Sequence, residues 1–594
     1  MIYAAAALAF SATAIAASSH SRDASAQYDY VVVGGGTSGL VVANRLSEDP
    51  SVTVAIIEAG GSVFNNTNVM DINGYGKAFG TDIDWAYESE AQIFAGNKPQ
   101  TLRAAKALGG TSTINGMTYM RAESSQIDSW AKIGNNITWN SLLPYYKKSE
   151  TFQRPNPAQI QDGASYEAEF HGFDGPLKVG WPAAMVGDNF SSVLNATFDA
   201  LDLPWNGEPN AGSMRGFDIS PKTLNTMLNV REDAARAYHF PVSNRSNLHV
   251  YLDSFAEQVT WETATRDSEA VANGVVMRDA LGNQRHISAT KEVILSAGAL
   301  RSPLILELSG VGNPAILTKY GIEVKVNLPT VGENLQDQTT VDISYTATQN
   351  FTGSGGFIGY FNAKDVFGSN LSNISAQIKL ALPSYVKASA AASGNTVSES
   401  TLQKLFNIQH TLIFHDLAVI SEVIVNAPSA SSGSLEYWGR TPFSRGGIHI
   451  ISSNASAPAS INPNYFQHSW DILQQIATAK AARSTALTLP LSSLLPTETL
   501  PGLDIVPINA SDATWEKWLK SVYRSNFHYI STAAMMARDL GGVVDSDHRV
   551  YGTKNVRVVD ASVLPFQVSG HLTSTLYALA ERAADRIKAV EVRG

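Results

Sequence analysis

A chain of 594 residues is long enough for two domains with full cores. Its 43 Lys and Arg against 53 Asp and Glu give a net charge of −10, and no basic stretch interleaves with aromatics, which argues against a nucleic-acid partner. There is no cysteine, so disulfides, thiol redox chemistry and cysteine-linked cofactors are excluded, and stability must come from core burial and a bound cofactor.

In chain order, residues 2–17 (IYAAAALAFSATAIAA) are apolar and small and end in Ala-x-Ala type sites. They read as a secretory signal lacking the usual basic n-region. Ten Asn-x-Ser/Thr sequons, at Asn65, Asn136, Asn189, Asn195, Asn244, Asn350, Asn370, Asn373, Asn454 and Asn509, suit a secreted, extracellular glycoprotein. Beyond the signal no apolar run is long enough to span a membrane.

Tyr28 to Glu58 predicts a strand, a glycine turn, a helix and a second strand. Tyr28 to Val33 is a β-branched and aromatic run suited to a buried parallel strand, and Gly34, Gly36 and Gly39 follow in G-x-G-x-x-G spacing. In that pattern Gly34 makes the tight turn, Gly36 lets backbone approach a pyrophosphate, and Gly39 lets helix Ser38 to Leu46 pack on the strand. Thr37 and Ser38 then stand at a helix N-terminus that favours an anion. Glu58 closes strand Val52 to Ile57, where an acid can accept ribose hydroxyls. This predicts an adenine dinucleotide without separating FAD from NAD.

Leu102 to Arg121, LRAAKALGGTSTINGMTYMR, places Gly109, Gly110, Thr111, Asn115 and Gly116 where backbone can pass tight against a flat cofactor, and also reads as a plain loop before a helix. Short strands are expected at Leu248–Leu252, Val275–Met277 and Val293–Ala297, the last leading through Gly298 into a helix opened by Ser302-Pro303. Gly332 to Gln338 (GENLQDQ) reads as a turn, and Ala391 to Ser400 as a surface loop. In Tyr523 to His528 (YRSNFH), an extended backbone puts Arg524, Asn526 and His528 on one face. A strand ending at Asp560-Ala561 and a helix starting after Gly570-His571 close the chain, with Leu572, Leu576, Leu579, Ala583 and Ile587 on its buried side. No metal ligands are assigned.

These motifs together resemble the glucose-methanol-choline (GMC) oxidoreductases over essentially all of the chain after the signal, most closely the fungal FAD-dependent glucose dehydrogenases, with glucose oxidase a near relative. The resemblance rests on Gly34-Gly36-Gly39 with Glu58, on Arg103 through Leu108-Gly109-Gly110-Thr111-Ser112 to Asn115, and on Gly298-Ala299 with Ser302-Pro303 to Gly312. Gly332 to Asp337, His528, Asp560-Ala561 and Gly570-His571 complete it. NGYG at Asn73 to Gly76, EYWG at Glu436 to Gly439 and YRSNFH carry the likeness to the glucose dehydrogenases.

The resemblance implies an α/β fold, with a discontinuous Rossmann-like FAD-binding domain (28–66, 100–122, 225–330 and 540–594) interleaved with an α+β substrate domain (67–99, 123–224 and 331–539). It implies noncovalent FAD, His528 as general base with His571 as its partner, and sugar contacts from Tyr75, Glu436, Arg524 and Asn526. The implied reaction is oxidation of β-D-glucose at C1, with a quinone or other acceptor taking the electrons, in a monomer or homodimer. Oxygen as acceptor, other alcohols as substrates, the non-redox hydroxynitrile lyases and an inactive FAD-binding protein are the alternatives that it leaves. One departure stands out: the family's His-Pro-x-Gly-Thr is here His528-Tyr529-Ile530-Ser531-Thr532, so proline's fixed φ and glycine's freedom are both absent after the base.

Overall fold

The computed structural model describes residues 26–263, 269–429 and 431–591; the expected leader at 1–17 lies outside them. Strand β1 (Gln27–Val33), helix α1 (Thr37–Leu46) and strand β2 (Val54–Ile57) form the opening unit. Val31, Val32 and Val33 are fully buried, as a strand covered on both faces requires. Parallel neighbours extend the sheet in the order Leu248–Tyr251, β2, β1, Gln284–Leu295. Phe255–Trp261 and Ala272–Arg278 continue it as an antiparallel pair, and Val556–Val558 joins parallel to the end of Gln284–Leu295.

The expected short strand Val293–Ala297 is therefore the end of a 12-residue strand. Its first half pairs antiparallel with Ala272–Arg278 while its second half pairs with Val556–Val558, so one strand serves two partners on the same side. Helix α2 (Ser302–Leu308) follows as expected, with proline in its first turn. The closing helix α3 (Leu572–Glu591) packs against α1 and the helix Trp139–Ser149. A bidentate pair joins the first two of these: Arg45 donates to Glu581 Oε2 at 2.8 Å and Oε1 at 2.7 Å, and Glu581 is buried.

A second, antiparallel sheet runs Glu498–Leu500, Thr339–Thr346, Ser432–Gly439, Val419–Ser429, Phe357–Asn362, Gly216–Ile219, with Arg524–Ser525 added beside Thr339–Thr340. Side chains alternate across it, so Glu422, Ile424 and Asn426 share a face with their cross-strand neighbours Glu436 and Trp438. That face looks toward the carboxyl ends of the first sheet's strands.

Three expectations are corrected. Within GENLQDQ, Glu333–Leu335 is a strand paired with Gly446–Gly447, not a turn. The Ala391–Ser400 loop shrinks to the link between helices Leu371–Ala392 and Glu399–Phe414, the second capped by the Ser398 hydroxyl. In YRSNFH only Arg524–Ser525 is strand, because Phe527 takes φ +61 and breaks the extended run.

Candidate active site

One cavity of about 410 Å³ lies between the two sheets. It begins where β1, β2 and Gln284–Leu295 end, at Val33, Ile57 and Ser296, the place where open parallel sheets bind ligands. It continues past Gly110 to Met117 and reaches His528 and His571.

The dinucleotide end is built from backbone. Gly34 stands at φ +103, where a Cβ would meet Ser296 O at 2.4 Å. A Cβ on Gly110 would come 2.6 Å from Gly36 Cα, so only two glycines let these loops meet beneath the cavity. Helix α1 has no side-chain cap, which leaves amides at Thr37 and Ser38 on the cavity wall for an anion. Glu58 lines the wall too, held by Gly35 N–H to Oε2 and Gly60 N–H to Oε1, both at 2.8 Å. Burial raises its pKa to about 7 against those amides. Asp560 accepts from Gly298 N–H at 2.9 Å and Ser302 Oγ at 2.5 Å, so it ties two strand ends together at the cavity edge. Orphan amides and side-chain-free loops in this order fit an adenine dinucleotide.

Of the sequence-selected positions, Gly34, Gly36, Thr37, Ser38, Glu58, Arg103, Gly110, Thr111, Asn115, Gly116, Asp560 and Ala561 line the cavity. Gly39 and Gly109 do not. A Cβ on Gly39 would lie 2.0 Å from Gly34 O, so it packs the helix beneath the turn, and Gly109 is the left-handed residue (φ +108) that opens the Gly110 turn. Arg103 pairs with Asp84 at 2.6 Å.

At the other end, His528 Nδ1 lies 2.8 Å from Gln338 Oε1. The Gln338 amide nitrogen donates to Arg440 O at 2.9 Å, which orients its oxygen toward the histidine. Nδ1 therefore carries the proton and Nε2 keeps a free lone pair. Burial, with His571 and Arg440 nearby, holds the His528 pKa well below the usual histidine value. The two imidazoles stand edge to face, their centroids 5.5 Å apart.

His571 Nε2 lies 2.9 Å from Glu422 Oε1, and Glu422 forms a fully buried ion pair with Arg440. That carboxylate is already neutralised by the guanidinium, so the imidazole stays neutral and donates from Nε2. Burial and Arg440 push its pKa down to about 3. Trp438 packs on the same ring at 5.7 Å.

The altered turn after His528 has its own supports. Ser531 adopts φ +76, the left-handed conformation that glycine takes freely. Its hydroxyl donates to Leu564 O and accepts from Gln336 Nε2 at 2.8 Å. Asp337 accepts the His528 N–H at 2.9 Å and the Ser525 hydroxyl at 2.5 Å, and also receives Tyr465 OH. Tyr529, in the proline position, reaches Ser525 Oγ at 2.9 Å. Hydrogen bonds thus hold a loop that a proline's fixed φ would otherwise restrict.

Tyr75, Glu436 and Asn526 line the cavity. Arg524 is not among the lining residues: it turns onto Glu436 at 2.5 Å, and the left-handed Phe527 separates it from His528. Asn526 Nδ2 lies 3.2 Å from His528 Nδ1, and since both are donors in this tautomer it bonds Gln338 Oε1, at 3.5 Å, rather than the ring. Glu422, Gln338, Arg440 and Trp438 were missed from sequence. The available signals were an acid in the apolar strand Val419–Ser429 and an arginine directly after EYWG.

Comparison with known proteins agrees with this architecture. A family model described as GMC oxidoreductase matches residues 28–340, and its C-terminal counterpart matches 442–580. A glucose oxidase-like protein, fsoC, of Humicola fuscoatra is 44% identical over 94% of this chain and 95% of its own. A glucose oxidase of Aspergillus carbonarius is 33% identical over 94% and 92%. Among solved structures, an FAD-dependent oxidoreductase from Chaetomium thermophilum superposes with a TM-score of 0.87 at 29% identity, covering 95% of this chain and 99% of its own.

Proposed function

That the chain belongs to the GMC oxidoreductase family, which works with FAD, is the premise from which we propose its activity: oxidation of β-D-glucose at C1 to D-glucono-1,5-lactone, with electrons passed to a quinone or artificial acceptor. The observation that carries this reading is the pair of neutral imidazoles, His528 and His571, on the wall of a cavity whose other end suits a dinucleotide. Relatives named for glucose oxidation support the sugar.

Gly34, Gly36, Thr37, Ser38 and Glu58 would hold the ADP half of FAD, and Gly110 to Gly116 the ring system. FAD supplies the hydride acceptor when bound. His528 Nε2 takes the proton of the anomeric hydroxyl, and the low pKa imposed by burial keeps this nitrogen free at acidic pH. Gln338 fixes the tautomer; without it the ring can present a protonated nitrogen to the substrate. His571 uses Nε2 on Glu422, which leaves Nδ1 to accept a second substrate hydroxyl. Tyr75, Glu436 and Asn526 supply further polar contacts, and a site with many of these rejects analogues lacking hydroxyls. Arg524 acts through Glu436.

The relatives' names favour oxygen as a second reading of the acceptor. Anaerobic mixing with glucose followed by re-oxidation separates the two. Recovery of the flavin colour with quinone but not air supports the dehydrogenase, and recovery in air assigns the oxidase. No bleaching by glucose removes the glucose reading. Secretion is proposed on the leader and the sequons.

A further inference from the structure

Lys222, partly buried on the cavity wall, lacks the partners that hold Arg121, Arg231 and Arg440 in the core. Arg121 is paired with Glu150 at 2.8 Å, Arg440 with Glu422, and Arg231 donates to Val69 O, Ser112 O and Asn115 Oδ1. Lys222, among the described residues, has one side-chain hydrogen bond, to Ser354 Oγ at 3.4 Å. The one charge acting on it is Arg231, a second cation. An ammonium carries three donors, so most of its hydrogen-bonding capacity is unused.

The backbone beneath it is fixed. Lys222 N–H donates to Gly180 O at 2.7 Å, Gly180 N–H returns to Lys222 O at 3.0 Å, and the flanking residues bond to Tyr119 and Met117. The side chain lines the same cavity as His528 and His571, and its Ser354 partner directly precedes Gly355 and Gly356, which line it as well. A partly buried cation without a counter-charge loses some of its hydration, and a ligand that supplies the charge recovers that cost. The other acids on the cavity wall are engaged: Glu58 by backbone amides, Asp560 by Gly298 and Ser302, and Glu436 by Arg524.

We infer that Lys222, with Ser354, forms a subsite for a carboxylate group in the active-site cavity. The carboxylate oxygen accepts from the ammonium and from the Ser354 hydroxyl. Its source is either a sugar acid that enters the site as substrate or a free small carboxylate that occupies the wall beside a neutral sugar. The first source rests on the sugar-oxidising reading; binding of a free carboxylate does not.

Burial pushes the Lys222 pKa down to about 8, so the ammonium persists at pH 6.5 and is lost at pH 9.5. The test is calorimetric titration of the FAD-loaded enzyme with acetate. The wild type should bind acetate at pH 6.5 about tenfold or more tightly than at pH 9.5, and about tenfold or more tightly than Lys222→Met, whereas Lys222→Arg stays within about threefold of wild type. Equal acetate binding by wild type and Lys222→Met, or no acetate binding at all, overturns the subsite, whatever the result with glucose. A second arm compares flavin reduction by D-glucuronate and D-glucose. A glucuronate-to-glucose ratio that falls about tenfold in Lys222→Met places the carboxylate on the substrate. Lys222-dependent acetate binding with no reduction by glucuronate assigns the subsite to a free carboxylate.

Discussion

Gln338 Oε1 stands 2.8 Å from His528 Nδ1, and the same amide is anchored through its nitrogen to the Arg440 carbonyl. This relationship selects which ring nitrogen is free, so Gln338→Ala should retain FAD while lowering the rate of flavin reduction by substrate by about 10- to 100-fold. Gln338→Glu should instead raise the His528 pKa, since a carboxylate favours the imidazolium. The acid limb of kcat/KM would then move to higher pH. A Gln338→Ala enzyme with wild-type reduction kinetics would remove the tautomer argument.

The wild-type pH profile carries its own prediction. With its pKa held well below the usual value, His528 remains a base as pH falls through 6.5, so kcat/KM should stay level there and decline only in stronger acid. An acid limb centred near 6.5 would show an unperturbed histidine doing the chemistry.

Glu422 and Arg440 are both fully buried, and His571 depends on the first. Glu422→Gln leaves the guanidinium without its counter-charge and should cost about 3–5 kcal/mol of stability. Replacing both, as Glu422→Gln with Arg440→Met, should cost less than the single change. Denaturant midpoints of the three proteins check this.

How much of this was legible follows the physics of each signal. The glycine turn, Glu58 and the strand ends are local patterns, and the structure places most of them on the cavity. Gly39, the motif's packing glycine, lies against Gly34 O and off the cavity wall. The alternation in YRSNFH grouped Arg524 with His528; a single left-handed residue, Phe527, separates them. Glu422, Gln338 and Lys222 come from three distant segments, and only the sheet register and loop packing bring the first two against His571 and His528 and the third to the cavity wall.

Ser531 illustrates a departure that the fold absorbs. Ser531→Ala keeps the left-handed backbone but loses both hydroxyl bonds, and should destabilise by about 1–3 kcal/mol. Ser531→Gly relieves the backbone and should lose less. Thermal unfolding of the FAD-loaded proteins ranks them; equal losses would show that φ does not matter here.

His449 binds Glu307 at 2.7 Å and approaches Glu333 at 3.5 Å. Burial opposes its charge, but hydrogen bonds to the two carboxylates outweigh this and raise its pKa to about 10. The unfolded value is near 6.5, so its contribution is complete below that and is lost as pH rises to about 10. The wild-type urea midpoint should therefore fall over this window by more than that of His449→Gln; parallel curves would assign the loss to other groups.

The role of His528 as the base is tested most directly by anaerobic stopped-flow of His528→Ala mixed with glucose, beside the wild type. The variant should stay yellow with FAD bound and lose most of its flavin reduction, by about 100-fold or more. A variant whose flavin bleaches at near the wild-type rate would contradict that role.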